Sequence, residues 1–306
     1  MAPGDVHEVD IDGCADCYYV DTGMYDTERY GAAYVLDADR PAVVESGIGT
    51  NHEYVLEALD ELGIERAELA AIAVTHIHLD HAGGAGFLAE ACPNADVYVP
   101  GVAAGLLVEP DRLVDGTKAA VGDQWEFYVE PEPLDDERIV EIDDGDEIDL
   151  GDHTLEVYGA PGHAFHQVVF YDPDMDAMFT GDAAGIWVPE REEIKETSPP
   201  NDFDLEGCLA DLEMIREVDP DVLCYTHFGP REVSDDLEAA LAEYESVLTE
   251  WVESVEEKRV ELDDDEAVVD HFAETASLPG AWNDRKIRAE AAMNTRGVLE
   301  YLDQRD

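Results

Sequence analysis

Lysine is nearly missing from this chain, which carries it only at Lys118, Lys195, Lys258 and Lys286. Lys and Arg together number 17 against 76 Asp and Glu, giving a formal net charge of -59. Binding a phosphate backbone relies on clustered cations that release counterions, and the sequence has no such cluster, so nucleic acid is an unexpected partner. No apolar run is long enough to span a bilayer, and there is no basic-then-apolar start of the signal-peptide kind. The expectation is a cytoplasmic chain without a membrane partner. Cysteine is also scarce: five residues, an odd number without framework spacing, argue against a disulfide scaffold. Cys14 and Cys17 form a C-x-x-C pair, but a structural zinc wants a second pair or two histidines, and Cys92, Cys208 and Cys224 stand singly. These thiols are read as core residues.

What is present in quantity is acid on an otherwise ordinary globular composition. Hydrophobic residues make up 45% of the 306 positions and the acidic residues are scattered, as at Asp143-Asp144, Asp235-Asp236 and Asp263-Asp264-Asp265. That pattern fits a solvated acidic coat over a folded core better than a disordered tail. Salt at about 1 M shortens the screening length to ~3 Å and removes most of the self-repulsion. The composition therefore points to a halophilic cytoplasm.

Extended segments at Cys17–Val20, Ala32–Leu36 and Ala42–Val44 alternate with Asp/Gly turns and read as antiparallel strands. Asn51 is a helix N-cap candidate, followed by Val55, Leu56, Leu59 and Leu62 at helical spacing and stopped by Gly63. Ala70–Val74 reads as a buried strand, 84–90 as a helix and Val97–Val99 as a strand, whereas 101–133 has no clear period. Four further strands are expected near 138–142, 153–158, 167–171 and 178–180, then one at 222–226. Beyond Asp204 the chain turns helical, with acidic amphipathic helices expected near 234–260, 266–278 and 284–302, the last two separated by Pro279-Gly280. Strands interrupted by helices in each half imply helices outside two sheets. The division expected is a catalytic domain over 1–233 and a helical C-terminal extension over 234–306.

The chemistry is concentrated in Thr75-His76-Ile77-His78-Leu79-Asp80-His81-Ala82-Gly83-Gly84. In an extended segment His76 and His78 share a face, so both imidazoles can meet one cation. Asp80 and His81 can serve a second position from the following loop, and Gly83 and Gly84 allow close packing as the next helix starts. Downstream, His163, Asp182 and His227 each stand in a turn just after an apolar strand, the usual place for a site on a rigid scaffold. Imidazole with carboxylate suits zinc first, with iron or manganese as alternatives.

Through its H-x-H-x-D-H motif, later lone His, Gly-Asp and final His, the sequence resembles the metallo-β-lactamase superfamily from about Tyr30 to Gly229. The resemblance implies an α/β fold, the αββα sandwich of that superfamily, with the helical C-terminus appended. It also implies two divalent cations: His76, His78 and His163 on the first, Asp80, His81 and His227 on the second, and Asp182 bridging. The Gly-Asp turn and the Thr-His-x-His-x-Asp-His-x-Gly-Gly context look like the hydroxyacylglutathione hydrolase and lactonase branches, and the segments at 199–204 and 224–230 look like an archaeal and bacterial subgroup. One departure is Glu45-Ser46-Gly47, where the family usually has Asp-(Thr/Ser)-Gly. The longer side chain must reach its hydrogen-bond partners differently.

Two cations sharing a water lower its pKa to about 7, which implies hydrolysis of a small ester-like substrate, a thioester or a lactone. Asp80 and His166 are the catalytic candidates beside the metals. His166, with Tyr225 behind it, is read either as a proton donor or as part of the site wall, and Tyr225 as wall. The tyrosines at 18, 19, 25 and 30, and Ile186-Trp187, are read as core before pocket; His7, His52, His153 and His271 have no motif context. The rival reading is an iron-dependent persulfide dioxygenase-like site on His76, His163 and Asp182; a metal-dependent nuclease is opposed by the acidic surface. The C-terminal helices either cover the site or form a homodimer contact.

Overall fold

A period-two pattern in which both faces are apolar runs through most strands, as sheets covered on both sides require. Tyr34, Leu36, Val44, Phe170 and Phe179 turn to one face, and the residues between them, Val35, Val43, Val169 and Met178, turn to the other. The computed structural model, described over residues 1–305, shows how those faces are used.

One sheet has seven strands in sequential order: β1 (Val6–Glu8), β2 (Cys17–Asp21), β3 (Ala32–Leu36), β4 (Ala42–Val44), β5 (Ala71–Ala73), β6 (Asp96–Pro100) and β7 (Ile139–Ile142). The first four run antiparallel, and β4 to β7 pair in parallel. The other sheet comprises β8 (Glu147–Asp149), β9 (Thr154–Gly159), β10 (Val168–Asp172), β11 (Ala177–Gly181), β14 (Val222–Tyr225) and β15 (Gly229–Glu232), in the order β15-β14-β11-β10-β9-β8. Between β11 and β14 lies a separate hairpin of β12 (Ile186–Val188) and β13 (Glu193–Lys195).

Tyr34, Leu36, Val44, Val157, Phe170, Phe179 and Cys224 fill the space between the two sheets. The outer face of the first sheet packs on helices α1 (His52–Leu62) and α3 (Ala85–Ala91) through Val35, Ile72, Val97, Val55, Leu59 and Leu88. The outer face of the second packs on α6 (Leu205–Val218) and α7 (Leu237–Leu262) through Val169, Met178, Leu223, Leu212, Tyr244 and Leu248. The order of layers is thus α, β, β, α, as expected. Cys14, Cys17 and Cys224 lie between the sheets as free buried thiols, and burial first, then Cys17, pushes Cys14 up to about 12. None of them belongs to a metal-competent cluster among the described residues.

Helix α1 runs 52–62 with Gly63 in the left-handed conformation after it, as the spacing predicts. The aperiodic 101–133 stretch holds α4 (Gly105–Val108), α5 (Asp111–Val121) and a 3-10 turn over Gly122–Phe127. Helix α5 is amphipathic, which the reading of 101–133 as aperiodic missed; only its Val114 is buried, and the rest of its apolar side, Leu113, Ala120 and Val121, faces a cavity instead of a core. The C-terminal helices are α7, α8 (Asp265–Thr275) and α9 (Asp284–Arg305). Val252, Val268, Val298 and Leu302 belong to the same hydrophobic cluster as the second sheet. No described helix is long and apolar enough to cross a membrane.

Candidate metal centre

In the second sheet β9 and β11 both run antiparallel to β10, and β14 runs parallel to β11, so β9, β11 and β14 point the same way. The segments after their C-terminal ends carry His163, Asp182 and His227 respectively. In the first sheet, the parallel strands β4 and β5 deliver Glu45 and the His76–His81 segment. The chain ends of one edge of the sandwich thereby converge.

Strand β5 stops at Ala73, so His76 and His78 are brought together by the loop that follows, not by sharing a strand face as expected. Asp80 and His81 likewise sit on a helical turn, α2 (Leu79–Ala82), instead of a loop. Gly84 closes this turn against the neighbouring strand end: a Cβ there would stand 2.2 Å from the Ser46 carbonyl oxygen. Gly162 does the same for His163, since its Cβ would meet the Cys208 amide nitrogen of α6 at 2.1 Å.

All seven expected side chains meet. His76 Nε2 is 3.0 Å, and His163 Nε2 3.2 Å, from His78 Nδ1. His81 Nε2 and His227 Nε2 lie 4.0 and 3.8 Å from Asp80 Oδ2. Asp182 spans the two groups: Oδ2 is 3.1 Å from His163 Nε2, and Oδ1 is 3.5 Å from both His81 Nε2 and His227 Nε2. Three-residue sets able to hold a cation include His76/His78/His163, His76/His81/Asp182 and Asp80/His81/His227. His81 Nε2 and Asp182 Oδ1 are buried without a hydrogen-bond partner. Orphaning such atoms is costly, and a cation between them removes that cost, so the donor set fits metal.

The rings are held from behind. Glu45 Oε1 accepts from Thr75 Oγ1 at 2.5 Å and Thr226 Oγ1 at 3.1 Å, and lies 3.1 Å from His81 Nδ1. The longer glutamate therefore reaches the His81 ring and both threonines from a backbone held at φ 69. Thr197 Oγ1 stands 3.2 Å from His163 Nδ1, and the Tyr30 carbonyl oxygen 2.9 Å from His227 Nδ1. Tyr30 acts here through its backbone, which no side-chain motif reveals.

Burial and crowding by neighbouring imidazoles hold His76 and His163 well below the usual histidine range. His78 falls to about 4, mainly through burial. His81 goes the other way: burial opposes its charge, but Glu45 and Asp182 prevail and lift it to about 10. Burial raises Asp182 despite His81 and His227, whereas Asp80 is drawn down by His81 and His227 although desolvation opposes its charge. A pocket of this mixed charge is suited to replacing protons by cations.

A cavity of about 250 Å³ opens over the centre, lined by His78, Asp80, His163, Asp182 and His227 together with apolar residues of several elements. His166 lines it, and burial with His78 nearby presses the ring down to about 3. Tyr225, expected in the site wall, does not line the cavity: it is buried in the core behind it, stacked on Trp187. Of the N-terminal tyrosines, Tyr25 and Tyr30 line the cavity, and Ile186 does while Trp187 does not. Tyr128, Arg112, Glu290 and Met293 also line it and carried no sequence signal.

Residues 26–227 match the sequence signature of the metallo-beta-lactamase superfamily. The chain belongs to that superfamily. A metallo-beta-lactamase fold-containing protein of Sulfurisphaera tokodaii is 26% identical over 241 residues, covering 76% of this chain and 87% of the relative. A hydroxyacylglutathione hydrolase of Synechococcus is 31% identical over 146 residues, but the match spans only 48% of this chain and 44% of that enzyme. Among solved structures, an archaeal superfamily protein from Sulfolobus tokodaii superposes with a TM-score of 0.71 at 21% identity, covering 93% of this chain and 98% of that one. A family protein from Thermus thermophilus gives a TM-score of 0.64 at 21% identity, with 90% and 89% covered. At those identities the two structures speak for the fold alone.

Proposed function

We propose that this superfamily member is a dinuclear metal hydrolase, with zinc the first candidate, that cleaves a small ester-like substrate, a thioester or a lactone. The observation that carries the reading is Asp182, whose two carboxylate oxygens face two different histidine groups. His76, His78 and His163 would hold one cation, and Asp80, His81 and His227 the other, with Asp182 between them. Bound there, the cations supply a water of lowered pKa and Lewis-acid stabilisation of developing oxyanion charge.

The chain's own residues do the rest. Glu45, Thr197 and the Tyr30 carbonyl fix the imidazole tautomers. Asp80, side chain 23% exposed, faces the cavity and is kept ionised by the imidazoles around it, so it can accept a proton from the attacking water. His166, held neutral by burial and by His78, can donate a hydrogen bond from one ring N–H to the leaving group, which orients that group, but it carries no proton to give; the leaving group takes its proton from water. Tyr25 and Tyr128 share a hydroxyl contact of 2.5 Å and stay protonated because burial raises both. A single iron on His76, His163 and Asp182, the dioxygenase alternative, would leave Asp80, His81 and His227 idle although they lie in reach of the same carboxylate.

The test is metal analysis of protein purified in multimolar KCl, followed by thioester, lactone and phosphodiester hydrolysis before and after chelation and reloading. About two metals per chain and turnover that returns with metal are expected. Asp182→Ala should abolish turnover with the circular dichroism spectrum kept. Full turnover in that variant, or in stripped protein, would end the dinuclear reading.

A further inference from the structure

Cations are rare in this chain, and nearly all are occupied. Lys118, Arg191, Arg216, Arg231, Arg259 and Arg285 each stand against carboxylates, and Arg138 is spent on the backbone carbonyls of Ala89, Cys92 and Ala95. Among the described residues Arg112, Arg288 and Arg296 have no such partner, and only Arg112 of these lines the cavity over the metal centre. In a chain of net charge -59, Arg112 is thus the one guanidinium without a carboxylate among the described residues that line this cavity.

The other charged side chains around the cavity are accounted for. Asp80 and Asp182 belong to the histidine sets, Glu290 is paired with Lys286 at 2.5 Å, and Asp202 stands with His78 and His166, ligand atoms within 4.8 Å. Arg112 is on α5, whose cavity side consists of Arg112, Leu113, Gly116, Thr117, Ala120 and Val121. These positions repeat at three to five residues and form one stripe of the helix.

Gly116 is the second observation. Glycine inside a helix is destabilising relative to alanine, because it gives up more backbone freedom on folding. Here nothing repays it within the protein, because a Cβ at Gly116 would meet no atom within 4 Å and its φ is not positive. What glycine does at this position is keep the wall of the cavity low, between Arg112 at one end of the stripe and Ala120 and Val121 at the other. The result is an apolar trough, bounded also by Leu106 and Met293, with a single free cation at its end.

We propose that Arg112 determines specificity by binding an anionic group, a carboxylate on the far end of the substrate's acyl arm, while the arm lies along the Gly116 stripe of α5. This deepens the ester-hydrolase reading and rests on it. The substrate class is an ester or thioester of a dicarboxylic acid with one carboxyl group free. Hydrolysis adds water across the acyl bond, releases the alcohol or thiol, and yields the dicarboxylate. Arginine's planar fork suits a carboxylate in two-point contact, and contact pairing is what survives when molar salt screens the longer-range repulsion from the acidic surface.

The test compares 4-nitrophenyl hydrogen glutarate with 4-nitrophenyl pentanoate, its neutral near-isostere, on metal-loaded wild type, R112M and R112K. The ratio of kcat/KM for the anionic over the neutral ester should fall about tenfold in R112M, mostly through KM, and less in R112K. An unchanged ratio overturns the proposal. In parallel, calorimetric binding of 5-(phenylthio)pentanoate, an anion with no bond to cleave, is measured on the same proteins. Binding to wild type that weakens in R112M supports the site even if neither ester is turned over, an outcome that would sink only the hydrolase reading. No binding to wild type overturns the Arg112 proposal whatever the esters do. A bulkier stripe, G116L, should weaken the same ligand, and unaltered binding there would remove the trough.

Discussion

Lys286→Met is expected to cost about 3–5 kcal/mol of stability, as breaking a buried ion pair does when one charge is left behind. Lys286 is 3% exposed, and its Nζ lies 2.5 Å from Glu290 Oε2 and 3.8 and 3.9 Å from the ring centroids of Tyr30 and Tyr25. Glu290, 5% exposed, also accepts from the Tyr30 hydroxyl at 3.0 Å. Methionine fills a similar volume but leaves the Glu290 carboxylate unpaired and vacates two aromatic faces, each worth up to about 2 kcal/mol when desolvated. At this chain length a loss of that size lowers Tm by roughly 5–8 °C. The assay is thermal and guanidinium unfolding of metal-loaded protein followed by circular dichroism, repeated over a range of KCl. Because the pair is out of water, the difference from wild type should persist in multimolar salt, where exposed pairs such as Arg40–Asp149 lose their effect. The double variant K286M/E290Q removes the orphaned charge and should recover most of the loss. The reasoning is refuted if K286M unfolds within about 1 kcal/mol of wild type, or if the double variant is no better than the single.

Glu45→Ala removes the acceptor behind His81 and should weaken metal binding about 10–100-fold, read by competition with a chromophoric chelator; unchanged affinity would mean His81 needs no support. Asp211 supplies a pH test. Burial raises its carboxyl to about 7 from 3.8, against the stabilising hydrogen bond from the Gly162 amide at 2.8 Å. A folded pKa above the unfolded one gives a contribution that is whole below about pH 4 and is lost as pH rises through 7. Asp211→Asn keeps an acceptor and cannot ionise, so wild type should lose up to ~4 kcal/mol relative to it across that window. Parallel stability curves for the two proteins would show that Asp211 is not carrying a buried charge.

The His76–His81 motif and the lone His163, Asp182 and His227 were legible because their chemistry demands residue types that seldom occur together, each at the mouth of an apolar strand. The layers were legible for the same local reason, since strands such as β3 and β11 are apolar on both faces. Elements that bury little were not. β1 and β8 are short edge strands and β15 contains Pro230, so none of these has a strong period, while α5, although amphipathic, is set among short turns and gives its apolar side to a cavity.

Sequence alone thus determined the donor atoms, the alternation that builds two covered sheets and the acidic coat, all properties of residue identity and spacing along one segment. Only the tertiary structure decided which neighbours each donor has. Glu45, Thr226 and His81 are far apart in the chain, as is Tyr30 from the Lys286–Glu290 pair of α9, and Arg112 from the metal centre. Their association depends on how the layers close over one another, and long-range packing of that kind leaves no periodic trace in any single stretch of sequence.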